Sequence, residues 1–119
     1  MANPNIANLT TITGYNTSGY VGTTATTLIT NAPSTGFIMK INSVILCNRV
    51  ATTETLSLDF DSGGGIPMYA GLAIPSGTTF LAIDKDMCIY LREGQSLTAS
   101  TSTASGLSYV TNYEIIEDT

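Results

Sequence analysis

FIMKINSVILCN, Phe37 to Asn48, decides the class of this fold. Taken two residues at a time, Phe37, Met39, Ile41, Ile45 and Cys47 fall on one face. Lys40, Asn42 and Asn48 fall on the other, together with Val44 and Leu46. A run apolar on one face and mixed on the other is a strand at the centre of its sheet, or one whose outer face is covered. The next segment, Glu54 to Phe60, alternates cleanly: Leu56, Leu58 and Phe60 inward, Thr55, Ser57 and Asp59 outward.

Working outward, the same period recurs. Before Phe37, the turn residues Asn31 to Gly36 follow a Thr-rich strand from Tyr20 to Thr30, with Gly22 as a candidate bulge. A short strand from Thr10 to Tyr15, ending at Gly14, precedes it. Residues 1–9, MANPNIANL, show no period and are read as an extended arm. After Phe60, Ile66 to Ile74 is broken by Pro67, which argues for an edge or a bulge. Thr78–Ile83, Met87–Leu91, Ser96–Thr101 and Leu107–Ile116 follow, separated by turns at Pro75-Ser76-Gly77, Asp84-Lys85-Asp86 and Arg92-Glu93-Gly94-Gln95. About eight strands with turn signals every 8–12 residues predict an all-β chain, a single β-sandwich of jelly-roll or immunoglobulin-like type over residues 10–119. No helical stripe predicts anything longer than a turn. The expected core is Met39, Ile41, Ile45, Leu56, Leu58, Phe60, Leu81, Ile83, Ile89, Leu91, Leu97 and Tyr109.

Composition agrees. At 119 residues the chain has one domain's length, and 20 Thr, 12 Ile and 4 Val make it unusually rich in β-branched residues. Hydrophobic residues reach 43%, too many for a disordered chain. Four Lys and Arg against nine Asp and Glu leave a net charge of -5, which argues against nucleic acid as a partner. There is no His, so imidazole-based hydrolysis and most catalytic zinc sites are excluded. No run approaches the roughly 20 apolar residues of a membrane helix. The first charged residue is Lys40, so a basic signal-peptide n-region is missing, and synthesis in a reducing cytosol is expected. The sequons at Asn8 and Asn16 matter only on a secretory route. Cys47 and Cys88, each inside an apolar run, are expected to be free and buried.

Candidate chemistry is thin. The carboxylate pairs Asp59/Asp61, Asp84/Asp86 and Glu117/Asp118 flank turns or the terminus, where solvated acids are the default. Asp59-Phe60-Asp61-Ser62-Gly63-Gly64 resembles the start of a calcium loop, but an EF-hand needs Glu at its twelfth position, here Ala70. Three glycines without a following Lys-Ser/Thr make no phosphate cradle, and Ser and Thr have no base to activate them. No catalytic, cofactor or metal residue is assigned, and the chain is not expected to be an enzyme.

The informative feature is charge placement. Residues 1–39 and 94–113 contain no charged side chain, yet hold Tyr15, Tyr20, Tyr109 and Tyr113. Interface cores are depleted in charge and enriched in aromatics, which predicts a homo-oligomer burying these faces. The competing readings are Thr and Ser dressing a strand that faces water, and tyrosines stacking on sugar in a carbohydrate-binding module.

The run IPSGTTFLAIDKDMCIYLREGQSLTA, Ile74 to Ala99, with FIMKINSVILCN and the closing GLSYVTNYEII, resembles small all-β virion proteins of tailed bacteriophages. The elements are Ile41-Asn42-Ser43-Val44 through Asn48, Pro75-Ser76-Gly77, Asp84-Lys85, Leu91 through Ala99, and Tyr113-Glu114-Ile115; together they span residues 37–116. The resemblance implies a structural component of the virion, of neck, tail, baseplate or capsid-decoration type. Its implied partners are copies of itself and other virion proteins, with no catalytic residues and no cofactor.

Overall fold

The computed structural model describes residues 11–117, with side chains from residue 13 onward. The arm read at residues 1–9 lies outside the described residues. Nine strands follow in order: β1 Thr11–Val21, β2 Thr26–Asn31, β3 Ile38–Asn48, β4 Glu54–Asp61, β5 Gly65–Ile74, β6 Thr79–Ile83, β7 Ile89–Leu91, β8 Gln95–Thr101 and β9 Leu107–Glu117. A 3-10 turn, Lys85–Met87, is the one helical element among the described residues.

The strands form two antiparallel sheets packed face to face. The first runs β1-β9-β3-β6, with β7 continuing β6 along the same rim of β3; the second runs β2-β8-β4-β5. Consecutive strands sit in opposite sheets except at the β4–β5 hairpin and the β6–β7 break. An immunoglobulin-like sandwich would pair its first two strands within one sheet. Here β1 and β2 lie in different sheets, so the topology is that of a jelly roll.

The core is the pair of inner faces. β8 alternates without fault, pointing Gln95, Leu97, Ala99 and Thr101 inward, and β4 supplies Glu54, Leu56 and Leu58. Phe60 and Ile89 pack on this core half-buried. β5, with Pro67, lies at the rim of its sheet as expected.

The central strand β3 departs from simple alternation. Ile41 pairs with Tyr113 but Ser43 with Asn112, so Asn42 is an extra residue, a β-bulge. Beyond it the faces exchange. Val44 and Leu46 point inward and are fully buried, while Ile45 and Cys47 point outward. The expected core assignment of Ile45 is therefore corrected. Leu81 moves with it: a register shift at Ala82 sets Leu81 opposite Ile45 on the outer face, 49% exposed. Phe80, Ala82 and Ile83 take the inner positions.

Three boundaries also differ. β1 does not stop at Gly14 but runs unbroken to Val21. The expected strand Tyr20–Thr30 is divided because Gly22 opens a turn, its N–H donating to Thr26 Oγ1 while that hydroxyl donates to the Thr24 carbonyl. Met87 closes the 3-10 turn instead of opening a strand, and Cys88 follows in left-handed conformation, exposed. Cys47 is half-buried on the outer face, so neither free thiol is the buried one expected.

Both open sides of the sandwich are closed by hydroxyls. Thr17 Oγ1 donates to the Leu28 carbonyl at a register shift in β2. Tyr69 Oη donates to the Ala82 carbonyl at 2.7 Å, and its ring meets Phe80 edge-on with centroids 5.5 Å apart. In each case a hydroxyl from the facing sheet takes the carbonyl of a residue left without a cross-strand partner.

The exchange of faces yields a stability prediction. Leu46→Ala is expected to cost about 2–5 kcal/mol in urea unfolding, and Ile45→Ala, one residue away, less than about 1.5 kcal/mol. Equal costs would contradict the bulge. Thr111 is fully buried on β9 with its hydroxyl unpartnered. Thr111→Val removes an unsatisfied polar group at almost constant shape, so a thermal midpoint raised by a few degrees is expected.

Candidate interaction surface

Of the acidic residues singled out above, Asp61 and Asp84 are used within their own turns. Asp61 Oδ1 accepts from the Gly64 N–H at 3.0 Å across a turn in which Gly63 has φ 84°. Asp84 Oδ1 accepts from the Asp86 N–H at 3.0 Å and caps the 3-10 turn. Glu93 receives the Ser34 and Gly36 N–H groups and fixes the turn before β3. Asp118 lies outside the described residues. Among the described residues, no three of His, Cys, Asp and Glu are placed to hold a metal ion.

Among the described residues one carboxylate is buried, and it is not among those singled out from the sequence. Glu54, 1% exposed at the start of β4, accepts four hydrogen bonds from the loop after β8. Thr101 Oγ1 and the Thr103 N–H donate to its Oε1; Ser102 Oγ and Thr103 Oγ1 donate to its Oε2. Burial alone would push the carboxyl up, but these donors outweigh it and hold it below its ordinary value. Gly106 lies against the same group, and a Cβ there would overlap the Glu54 carboxylate. This cluster fixes the Thr101–Gly106 loop at the entry to β9. It is structural, since its donors are the last residue of β8 and the loop that follows it.

The outer faces of the two sheets differ in kind. Across the β2-β8-β4-β5 sheet the outward positions are Thr27, Ser96, Thr98, Ser100, Ser57 and Asp59, paired with one another as hydroxyls and acids. Such a face suits water. On the other sheet the outward row is Ser18, Val110, Ile45 and Leu81, running through β1, β9, β3 and β6. Beside it lie Tyr20, Ser108, Cys47 and Thr79. Tyr20 is 57% exposed, Leu81 49% and Val110 41%. Lys40 and Glu114, paired across β3 and β9, limit this uncharged area toward the other end of the strands.

A shallow cleft of ≈ 290 Å³ lies in this area, lined by Ser18, Gly19, Tyr20, Ser108, Tyr109 and Val110. Tyr109 itself is buried, its ring filling the space a side chain at Gly19 would need. The Arg49 guanidinium sits 4.7 Å from the Tyr20 ring centroid and donates to the Ser105 carbonyl. Tyr15 and Tyr113 stack at 5.8 Å on the inner face, on the row that includes Ile41. The charge-free stretches thus separate: Tyr109 and Tyr113 serve the interior, while Tyr20 and Val110 face out. Ile45 and Leu81 join them, although the alternation pattern had placed both in the core. Polar Asn42 in the middle of an apolar run was the available sign of the bulge that turns them outward.

No protein-family model matches this sequence, and no curated protein does either. Among solved structures, the chain is similar to a protein of Bacillus endospore appendages, described as a family of disulfide-linked pili. Identity is 16% and the TM-score 0.53, over 91% of this chain and 87% of that one. A second likeness, to a chain of infectious bursal disease virus, Gx strain, has 13% identity and a TM-score of 0.47. It covers 89% of this chain and 32% of that one. The first likeness shows a shared fold: the β-sandwich of a protein that is part of a pilus.

The Glu54 cluster makes a prediction about pH. A carboxyl held below its unfolded value stabilises the fold above that value, and the contribution is lost as pH falls through and below 4.5. Glu54→Gln replaces an acceptor by an amide that faces hydroxyl and N–H donors. It is expected to cost on the order of 2–4 kcal/mol at neutral pH and to flatten the acid limb of a stability–pH curve. An unchanged acid limb would show that the cluster does not carry this dependence.

Proposed function

We propose that this chain is a structural protein of a tailed-bacteriophage virion. It works by docking repeated copies of itself, and other virion proteins, through uncharged sheet surface. The observation that carries the reading is the outer row Val110, Ile45 and Leu81 beside Tyr20, with no charged residue in it. A soluble monomer spreads charge over its surface, and contiguous apolar area on a sheet face marks an interaction site. The elements from Phe37 to Ile116 that resemble phage virion proteins support the same reading. So does the fold shared with a protein that assembles into pili.

In this reading the protein has no catalytic step and no cofactor; its contribution is contact area. It is made in the host cytoplasm and ends up on the particle, at the neck, tail, baseplate or capsid surface. The alternative, a carbohydrate-binding module for host attachment, is favoured by the cleft beside Tyr20, where Ser18 and Ser108 place hydroxyls next to an aromatic ring.

The native mass of the purified protein, followed by light scattering over a dilution series, tests the assembly reading. A dilution-resistant oligomer is expected. A monomer at every concentration, combined with a glycan-array signal lost in Tyr20→Ala, would replace it by the carbohydrate reading.

A further inference from the structure

A sheet that is not closed into a barrel has rims, and each rim presents unpaired backbone N–H and C=O groups. Natural sandwiches blunt them with short strands, prolines, bulges or charge. Three rim segments here carry such devices. β2 has six residues and a register shift beside Leu28, whose carbonyl is taken by Thr17. β5 contains Pro67 and Gly71 at φ 72°, and it shifts register twice against β4. β6 and β7 have five and three residues, separated by the 3-10 turn.

β1 has none. Its eleven residues pair with β9 over eleven consecutive positions without a shift, and among the described residues no strand pairs with its other side. The sequence TITGYNTSGYV contains no charge and no proline. Asn16 and Ser18 are exposed on its outer side, and nothing lies within 4 Å of where a Gly14 side chain would project.

We propose that β1 is a pairing edge and that its occupant is β1 of a second copy of this chain. The argument for self-pairing is electrostatic and geometric. The net charge of -5 lies outside residues 1–39, so two β1 edges meet without like charges at the seam. An open antiparallel edge is self-complementary under a two-fold axis perpendicular to the sheet, an isologous contact that closes. Backbone hydrogen bonds across the seam then supply affinity, as in other strand-addition complexes. Under that axis the outer faces of the two sheets lie on the same side. A register centred on Ser18 sets Ser18 against its own copy and joins the two uncharged rows through Ser18 and Val110 across the seam. This deepens the assembly reading above and rests on it.

The test compares the full chain with an Asn16→Lys/Ser18→Lys variant by sedimentation velocity and amide hydrogen exchange over a dilution series. Both substituted positions are exposed, so the variant should fold, and an unchanged thermal midpoint at low concentration checks this. The parent chain is expected to form dimers or assemblies of dimers, with β1 amides that exchange faster on dilution. The variant's dissociation constant should rise about tenfold or more, because like charges then face each other across the seam. A variant that associates as tightly as the parent, or concentration-independent exchange in β1, would overturn the edge while leaving the assembly reading intact. A parent chain that is monomeric throughout would overturn both.

Discussion

The extra residue at Asn42 is the constraint on which the rest of this structure turns. β3 is the hub of its sheet, bonded to β9 on one side and to β6 and β7 on the other. A strand has a period of two, so one inserted residue exchanges every side chain beyond it between core and surface. The bulge is held by side chains beside it: Asn42 Nδ2 donates to Glu114 Oε1, and Asn112 Nδ2 donates to Ser43 Oγ. With the phase set, Val44 and Leu46 fill the core against Ile83 and Tyr109, and Ile45 is released to the outer row. The outward position of Ile45 is thus a consequence of the same insertion that packs the interior.

Irregular positions create a second requirement, since a residue without a cross-strand partner leaves backbone groups to be satisfied. Polar side chains placed at strand ends meet much of that need. Asn31, the last residue of β2, donates to the carbonyls of Phe37 and Leu91. Asn48, the last residue of β3, donates to those of Thr52 and Ile74 and accepts from the Val50 N–H. Gln95 accepts from the Arg92 N–H at the start of β8. With Glu54, these residues put buried polarity where strands become loops. Each one ties a connection to the sandwich, so the crossovers between sheets are held by specific bonds as well as by packing.

Much of this was legible in the sequence, for physical reasons that also mark where legibility ends. β4 and β8 alternate without interruption, and a β-branched, helix-poor composition leaves few alternatives to a sandwich. Their inward residues Leu56, Leu58 and Leu97 were accordingly identified. Alternation identifies β3 as central but misphases it beyond Asn42, because it counts residues and a bulge adds one; polar Asn42 is the mark that insertion leaves in the apolar run. Glu54 illustrates a different limit. A carboxylate reads as exposed unless its donors are known, and all four of those donors lie in Thr101, Ser102 and Thr103, 47 or more positions away. The choice between jelly-roll and immunoglobulin-like order was likewise beyond local signals, since it depends on which sheet each strand joins.

Absence of charge over long stretches is a feature that a one-residue phase error does not disturb. Residues 94–113 remain uncharged whichever way their side chains point. What the fold adds is a division of labour between the two outer faces. The hydroxyl-and-acid face of the β2-β8-β4-β5 sheet is hydrated at little cost, whereas exposed Tyr20, Val110 and Leu81 on the other sheet gain by being covered. The nearby charges bound this area: Lys40 and Glu114 lie in a separate cross-strand row, and Arg49 rests on the Tyr20 ring at its margin. The rim strand β1 forms one margin of that uncharged face. With so few charges, the chain leaves one outer row and one rim without any, and burying either would cost no charged group its hydration.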